Sequence, residues 1–330
     1  MKLNLLAGLT RASLAVTQLT GPQRLPILIF HRVRAQPDPM APSEIDAAGF
    51  DTLLGVLARS FKVLTLGDAA VRLQAGSLPA RALSITFDDG YADNADIALP
   101  LLQKHGLKAS FFVSSGFLDG GRMWNDSIIE SVRQSPRDTA DLTFLGDGFS
   151  ATEDMRSVNA RRSLLERLLR AIKYLTPEQR QPVIATLQEC LTVDRLPHDL
   201  MMRSEQVRLL RTAGMEIGAH TRDHPILCTL SADAAREEIQ EGRKALEHIL
   251  GEAVDVFAYP NGKPGQDYDA VHVDIVRELG FKAAVSTSQG IATKGDDLFQ
   301  LPRFTPWRTP GSLGWTLQLL AQYPQTYASA

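Results

Sequence analysis

The sequence predicts an α/β fold built on parallel strands. Short apolar runs typical of buried strands, such as residues 25–30 (LPILIF) and 83–87 (LSITF), alternate with longer segments in which apolar residues recur at helical spacing. Strands in this rhythm are joined by right-handed helical crossovers, which form either a doubly wound sheet or a barrel. With 330 residues, 44% of them hydrophobic, the chain can bury a large core of this kind.

The first part of this pattern extends to about residue 119. Its expected strands are residues 25–30, 61–66, 83–87 and 109–113. A short helix is expected to begin at Asp68 as its N-cap. A longer helix over residues 93–105 should be kinked at Pro100 and end at Gly106. Each alternation of strand and helix adds one unit to the parallel sheet.

Strand patterns stop between residues 120 and 203, which we predict to be a helical insertion. Two helical patterns lie there, at residues 158–175 and 177–191, the second behind Thr176 as its N-cap. The α/β domain would then consist of residues 25–119 and 204–310, followed by a tail at 311–330. Its remaining expected strands are residues 215–219, 254–259 and 281–285.

The N-terminal residues 1–24 are predicted to form an amphipathic segment. Thr10 and Arg11 interrupt its apolar run before the run reaches the length of a signal peptide or of a membrane span. The segment could pack on the domain or make peripheral contact with a membrane. We therefore expect a cytoplasmic protein, which this segment could hold at the inner membrane surface. A net charge of -3 argues against nucleic acid as a partner.

Two adjacent carboxylates follow the expected strand 83–87, in the run TFDDGY. Asp88 and Asp89 stand at the carboxyl end of a strand, where parallel α/β folds place functional side chains. Neighbouring carboxylates near a buried edge disfavour each other's ionisation unless a cation lies beside them. The pair therefore indicates a metal site, the alternative being two solvated loop acids that cap the next helix.

A second polar group follows the expected strand 215–219, where His220 and His224 belong to the run HTRDH. Two neutral imidazoles and one carboxylate make three ligands and leave room for water and substrate, which is typical of catalytic zinc sites. Alone, two histidines at this spacing are a weak signal, because one turn of any helix can carry them. Together with Asp89 they predict a divalent metal centre, with Zn²⁺ as the expected ion.

In these two motifs the sequence resembles the polysaccharide deacetylases of carbohydrate esterase family four. TFDDGY matches the first motif of that family and HTRDH the second. The resemblance implies a distorted, incomplete (β/α) barrel with the helical insertion outside the common core. It implies that Asp88 is the general base and that Thr221 helps to orient its loop. Asp89, His220 and His224 would bind Zn²⁺ or a similar ion, and the substrate would be an N-acetylated carbohydrate.

The later family motifs are altered. Residues 257–262 (FAYPNG) lack the arginine that pairs with the base, in a form similar to the exopolysaccharide (poly-N-acetylglucosamine) N-deacetylase branch. The late Leu-x-His motif is replaced by LPR. The arginine of this run, Arg303, could substitute near Asp88, although an arginine in a polar C-terminal loop is more often at the surface. His31 resembles the general acid of that branch, the alternative being a buried core histidine.

Three further residues are candidates for contact with substrate. Tyr259 is the expected oxyanion donor through its backbone N–H, carried over from the altered third motif. The run Trp124-Asn125-Asp126 could form a wall of the sugar groove, the alternative being that Trp124 packs the insertion onto the barrel, and Tyr91 is a further lining candidate. The expected function is metal-dependent hydrolysis of an N-acetyl group on a glycan. A deformylase or other amide hydrolase, and a non-catalytic carbohydrate-binding homologue, are the alternatives.

Overall fold

The computed structural model describes residues 23–305. The predicted C-terminal tail, and residues 1–22 of the predicted N-terminal segment, lie outside this range. Among the described residues, none of the helices combines the length and the apolar character needed to cross a bilayer. The strands of the central sheet are β1 (Ile27–Phe30), β2 (Lys62–Leu64), β3 (Ala82–Phe87), β4 (Ser110–Val113), β5 (Glu216–Ala219), β6 (Val256–Ala258), β7 (Ala283–Gln289) and β8 (Leu301–Arg303).

These strands form a nearly closed parallel barrel. Their order is β8-β7-β6-β5-β4-β3-β1, and β2 pairs with the first half of β3. A parallel bridge between Leu28 and Phe304 links the two ends, where the Ile29 N–H donates to the Phe304 carbonyl at 3.1 Å. The distorted barrel that the family resemblance implies is therefore confirmed, and the doubly wound sheet is excluded.

Helices surround the barrel. They are α1 (Ala47–Ser60), α2 (Leu66–Ala75), α3 (Leu99–Lys104), α4 (Trp124–Gln134), α5 (Val158–Ile172), α6 (Pro177–Cys190), α7 (Ser204–Thr212), α8 (Ala232–Leu250) and α9 (Ala270–Glu278). Their ends follow local chemistry, as α8 illustrates. The Ser231 hydroxyl caps its first turn by accepting from the Ala234 N–H, and Gly251 ends it in a left-handed conformation.

Apolar residues bury the strands at the centre of the sheet. Phe30, Phe87 and Phe111 stand on the adjacent strands β1, β3 and β4, and their rings stack at centroid distances of 5.3 and 4.8 Å. Phe50 of α1 meets the first two rings edge-on, which fixes this helix against the sheet. Burial of these aromatic rings gives the strand ends a rigid support.

Residues 120–203, the predicted insertion, contain α4, α5 and α6 and have an apolar core of their own. Ile128, Leu168 and Leu187 are fully buried in it. Thr176 caps α6 through a capping box with Gln179, as its sequence predicts. A two-stranded antiparallel pair between Thr139–Ala140 and Glu153–Asp154 was not predicted, because strands of two residues leave no alternating pattern to detect.

Two helix starts differ from the sequence-based expectation. The N-cap of α2 is Thr65, and Asp68 lies one turn later, where its negative charge still favours the helix N-terminus. The helix expected over residues 93–105 is divided into a π-helical turn, Asn94–Ala98, and α3. Pro100 lies at the second position of α3, directly after the π-helical turn, so it falls where the hydrogen-bond pattern of the helix changes.

Candidate active site

Two carboxylates extend from the end of β3. Asp88 and Asp89 directly follow this strand and are only 2% and 6% exposed. Asp89 has a left-handed backbone, with φ of 77°, and Gly90 continues the turn with φ of 92°. A β-carbon on Gly90 would come within 3.0 Å of Val113 Cγ1 on β4, so only glycine suits this turn. The turn allows the two neighbouring carboxylates to reach different partners.

Asp88 is held by Arg303, the last residue of β8. The guanidinium donates from both terminal nitrogens to the two carboxylate oxygens, each at 2.7 Å, and its Nε donates to the Ser286 carbonyl. Burial by itself would raise the pKa of Asp88, but the positive charge of Arg303, helped by His220, holds that pKa below its ordinary value. Asp88 is therefore ionised at neutral pH and fixed in orientation by a fork-shaped pair.

Asp89 lies between two histidines. Its Oδ1 is 3.4 Å from the Nε2 atoms of both His220 and His224, and the three candidate ligand atoms lie within 4.8 Å of one another. The Nδ1 atom of His220 is 2.7 Å from the Ala258 carbonyl, which can only accept, so this nitrogen carries the proton. Nε2 is thereby the nitrogen that faces the Asp89 carboxylate and would bind a cation between them, the usual arrangement of a metal-binding histidine.

The protonation of the three side chains also suits a cation. Burial opposes the charge on Asp89, but the surrounding histidines, His220 first, hold its pKa well below the ordinary value. Burial lowers the pKa of His224 to about 4, so this imidazole is neutral at neutral pH. Burial also lowers the pKa of His220, but Asp89 and Asp88 outweigh it and the pKa is raised. A bound ion would replace that proton.

The loop from His220 to His224 is tightly built. The Thr221 hydroxyl donates to the His220 carbonyl and accepts from the His224 N–H at 3.1 Å. Both Thr221 and His224 have left-handed backbones, with φ of 62° and 53°. Gly242 of α8 allows the helix to approach closely, since a β-carbon there would come within 2.4 Å of the Thr221 backbone. The loop therefore presents His224 in a preset direction.

A cavity of about 290 Å³ borders this group, and Asp89 and His31 both line it. His31 directly follows β1 and is exposed, so it is not the buried core histidine that the sequence left as an alternative. The electrostatic interaction with His31 is one of the smaller contributions that lower the pKa of Asp88, and it also lowers the pKa of Asp89. An imidazole beside two carboxylates and next to open space can donate a proton to a bound molecule.

Tyr91 and Asp126 form another part of the cavity wall. The Tyr91 hydroxyl donates to Asp126 Oδ1 at 3.1 Å, and the Arg32 guanidinium lies 4.3 Å from the Tyr91 ring centroid. Burial, with a smaller contribution from Asp89, raises the pKa of Asp126 to about 7, although Arg32 opposes the shift. Sequence reasoning placed Tyr91 and the run Trp124-Asn125-Asp126 at the sugar groove but assigned no role to Arg32.

A sequence profile of polysaccharide deacetylases matches residues 75–141 and 178–284, more than half of the chain. The chain belongs to the polysaccharide deacetylase family. The match includes both the TFDDGY and the HTRDH motif, so the family suggested by these motifs is confirmed. A carbohydrate deacetylase is the class of enzyme that this membership supports.

Solved structures share the fold of this family member. The Streptococcus pyogenes deacetylase PplD, in complex with acetate, is 19% identical with a TM-score of 0.59, covering 92% of this chain and 99% of its own. IcaB from Ammonifex degensii is 20% identical with a TM-score of 0.57, covering 93% and 99%. The Bacillus subtilis (strain 168) protein YxkH is 20% identical over 283 residues, 86% of this chain and 71% of YxkH. The likeness to the exopolysaccharide branch, to which IcaB belongs, thus extends to the fold.

Tyr259 of this polysaccharide deacetylase is placed differently from expectation. Its backbone N–H donates to the Val285 carbonyl at 3.2 Å, because the pairing of β6 with β7 continues one residue beyond β6. Its ring is fully buried and stacks on Tyr268 at 3.8 Å, and its hydroxyl donates to the Phe299 carbonyl. The proposed oxyanion donor is corrected accordingly, since this N–H already has an acceptor.

Trp124 packs the insertion rather than lining the cavity beside Asp89. The Arg180 guanidinium of α6 lies 4.3 Å from its ring centroid, and the indole contacts the core of residues 120–203. One edge borders a separate groove between the insertion and the barrel. Of the alternatives that the sequence left open for Trp124, the structure shows the packing contact.

A second group of potential metal ligands lies at the surface. Atoms of Cys228, Asp269 and His272 are within 4.8 Å of one another, and the first two residues are exposed. The Nδ1 atom of His272 already accepts from the Asp269 N–H in the cap of α9. This group is therefore a helix cap with a nearby thiol, whereas the ligand nitrogen of His220 is free to face Asp89.

Proposed function

We propose that this chain is a metal-dependent carbohydrate N-deacetylase that converts an N-acetylated sugar of a glycan into a free amino sugar and acetate. The observation that carries the proposal is the convergence of two units at one end of the barrel. One is the ligand group Asp89, His220 and His224, and the other is Asp88 with its guanidinium partner. Family membership supports the deacetylase class, and the donor set supports a divalent cation.

Asp89, His220 and His224 would hold the metal, with Zn²⁺ favoured because one carboxylate and two imidazoles suit it and leave coordination positions open. When bound, such an ion polarises a carbonyl oxygen and makes a coordinated water more acidic. The structure fits this requirement, since the tautomer of His220 and the neutral state of His224 direct lone pairs to one point.

Asp88 would act as the general base. It is ionised, and Arg303 keeps its orientation fixed without filling the space beside Asp89. The carboxylate takes a proton from the water that attacks the acetamide carbonyl. The C–N bond then breaks, and His31 gives its proton to the departing nitrogen, so that the products are an amine and acetate. His31 is suited to this step by its exposed position in the cavity that Asp89 lines.

Arg303 also bears on the non-catalytic alternative. The sequence favours that alternative only through the arginine missing from residues 257–262 and the missing late histidine. Arg303 supplies a guanidinium to the base from β8, and His31 supplies an imidazole from the end of β1. Both chemical groups are therefore present, although they come from other parts of the chain. This supports an active hydrolase over a protein that only binds sugars.

The test is acetate release from a chitooligosaccharide by protein that has been stripped of metal and then reloaded with Zn²⁺. We expect release only after reloading and its loss in His220→Ala, which also loses the ion. Asp88→Asn should keep the ion, as measured by metal analysis, but lower kcat by about 10²–10⁴-fold, the usual contribution of a general base.

The same assay separates the alternatives. Formate release from a formylated amino sugar, without acetate release from the acetylated one, would replace the deacetylase by a deformylase. Binding of the oligosaccharide with neither product, in protein that holds Zn²⁺, would support the non-catalytic alternative. Full activity in Asp88→Asn would remove the assigned base while leaving the reaction class in place.

A further inference from the structure

Two acceptor atoms on one wall of the cavity are unpaired. The wall is the first turn of α4, whose Asn125 and Asp126 line the same cavity as Asp89 and His31. Asp126 is 3% exposed; its Oδ2 is buried, and no hydrogen-bond partner lies near it among the described residues. The Oδ1 of Asn125 is buried and unpaired within the same residues. Buried acceptors are seldom left unpaired, so two neighbouring cases in one cavity call for an explanation.

The neighbouring groups do not provide a structural reason for these acceptors. Arg32 is the cation whose charge acts most strongly on Asp126. Its Nε, however, donates to Asp93 at 2.7 Å, and its guanidinium covers the Tyr91 ring. Asp126 also does not cap α4, because the N-cap residue is Met123 and makes no side-chain capping bond. The Tyr91 hydroxyl occupies only one of the two carboxylate oxygens.

We propose that Asn125 and Asp126 form an acceptor subsite that receives ring hydroxyl groups of the sugar whose acetamido group is hydrolysed. Sugar hydroxyls are the donors that such a pair of oxygens can satisfy, and they lie on the same ring as the reacting group. The identity of the ligand rests on the proposed function, whereas the unpaired acceptors do not. Asn125 and Asp126 are positioning residues, because they place the sugar and take no part in bond breaking.

The subsite also predicts selectivity. Asp126 gives this wall one available acceptor oxygen, since Tyr91 occupies the other, and Asn125 Oδ1 adds a second. A sugar with a carboxylate or sulfate in place of a hydroxyl would bring further acceptors against them, which is unfavourable. Neutral hexosamines should therefore bind in preference to anionic ones. A hydroxyl removed from the ring would leave the acceptors unpaired again and weaken binding.

The experiment measures both the Kd of a chitooligosaccharide by calorimetry and the KM and kcat for acetate release, using Zn²⁺-loaded protein. Asp126→Asn keeps the shape and the acceptor for Tyr91 but replaces the unpaired oxygen by a donor amide. We expect Kd and KM to rise about tenfold or more, with a smaller change in kcat. Analogues that each lack one ring hydroxyl should bind wild type more weakly than the complete sugar does. The Asp126→Asn variant should bind these analogues no more weakly than it binds the complete sugar.

The matched control is Asp233→Asn, which removes an exposed acid from the first turn of α8 and should leave Kd and KM unchanged. Should Asp126→Asn fail to fold, Asn125→Ala carries the same test with a less buried residue. Unchanged Kd in a folded variant overturns the subsite even if acetate release proceeds. Weakened binding without any acetate release in wild type would overturn the proposed function and leave the subsite standing.

Discussion

Two buried aspartates on different sides of the cavity have pKa values that are shifted in opposite directions. At the strand ends, both oxygens of Asp88 accept from Arg303, and its pKa is held below the ordinary value. On the α4 side, one oxygen of Asp126 is unpaired, and burial raises its pKa to about 7. The residues are equally buried, at 2% and 3% exposure, so burial does not explain the difference.

The difference is the presence of a dedicated guanidinium. A buried carboxylate with a fork-shaped partner is kept charged and oriented, as a base requires. A buried carboxylate without one reduces stability whenever it is charged, because it has lost its solvation and gained little in return. Such a cost is tolerated mainly where the group serves a ligand. In the proposed function, Asp88 would serve the chemical step and Asp126 would serve the placing of the substrate.

The largest effect on stability is expected from Arg303→Met. This change leaves the Asp88 charge buried without its partner, which typically costs about 3–5 kcal/mol of the free energy of unfolding. Because the pKa of Asp88 is depressed in the folded protein, the contribution of the pair is fully present above about pH 4 and is lost as the pH falls through the folded value. Denaturant titration of wild type and Arg303→Met at pH 7 and at pH 3 measures the loss of stability and its dependence on pH.

Arg303→Lys is the matched control for charge. It keeps a cation in place but cannot form the bidentate pair, so activity should lie between those of wild type and Arg303→Met. Equal stability of Arg303→Met and wild type at pH 7 would show that the pair does not hold the base.

An intermediate effect of opposite sign is expected from Asp126→Asn in protein stripped of metal. The raised pKa of Asp126 means that the folded state loses stability between about pH 4 and about 7 and none above that range. The asparagine variant lacks this penalty. It should therefore gain stability relative to wild type as the pH rises through that range, by about 4 kcal/mol at most.

Thermal unfolding of both proteins at pH 4, 5.5 and 8 checks this result. Asp233→Asn, with the same chemical change on an exposed helix turn, should differ from wild type by about 1 kcal/mol at most. If pH changes the stability of Asp126→Asn and of wild type by the same amount, ionisation of Asp126 costs the folded protein no stability. The two sides of the cavity would then not differ in this respect.

The smallest effect is expected from Arg133→Met. Arg133 of α4 forms a bidentate pair with Asp38 at 3.0 and 2.7 Å, the same geometry as at Asp88, but its side chain is 28% exposed. Pairs in contact with water are worth about 0.5–1 kcal/mol. Burial opposes the shift, yet Arg133 lowers the pKa of Asp38, so the small contribution is present above about pH 4 and lost below it.

Urea titration of Arg133→Met and Arg303→Met under the same conditions compares two pairs of one geometry at two exposures. A loss in Arg133→Met as large as that in Arg303→Met would indicate that geometry, and not burial, sets the strength of such pairs in this protein.

The ligand group and the base could be located from the sequence because each lies within a short run at the end of a strand. Asp88 and Asp89 follow β3, and His220 follows β5. The carboxyl ends of parallel strands meet at one end of a barrel, so contiguous residues were enough to bring them together. The family motifs then favoured a metal centre over two solvated acids.

Other contacts depend on the fold as a whole. Arg303 is 215 residues from Asp88 in the chain; its place in the LPR run made it a candidate partner, but the run alone could not distinguish that role from a surface position. The acceptor of the Tyr259 N–H depends on the register of β6 against β7. Trp124 and Asp126 stand on one helical turn, and consecutive helical residues point about 100° apart, so their separate surroundings follow from how α4 is docked.

Because Arg303 lies in the last strand of the barrel, it is synthesised after Asp88 and after Asp89, His220 and His224. A ribosome makes His224 well before it makes β8, so the three ligand residues can leave the exit tunnel while Asp88 still has no guanidinium beside it. Asp89, His220 and His224 can therefore come together before β8 joins β7, whereas Asp88 can meet Arg303 only once β8 is in place. Closure of the barrel by β8 and orientation of Asp88 by Arg303 are then a single event.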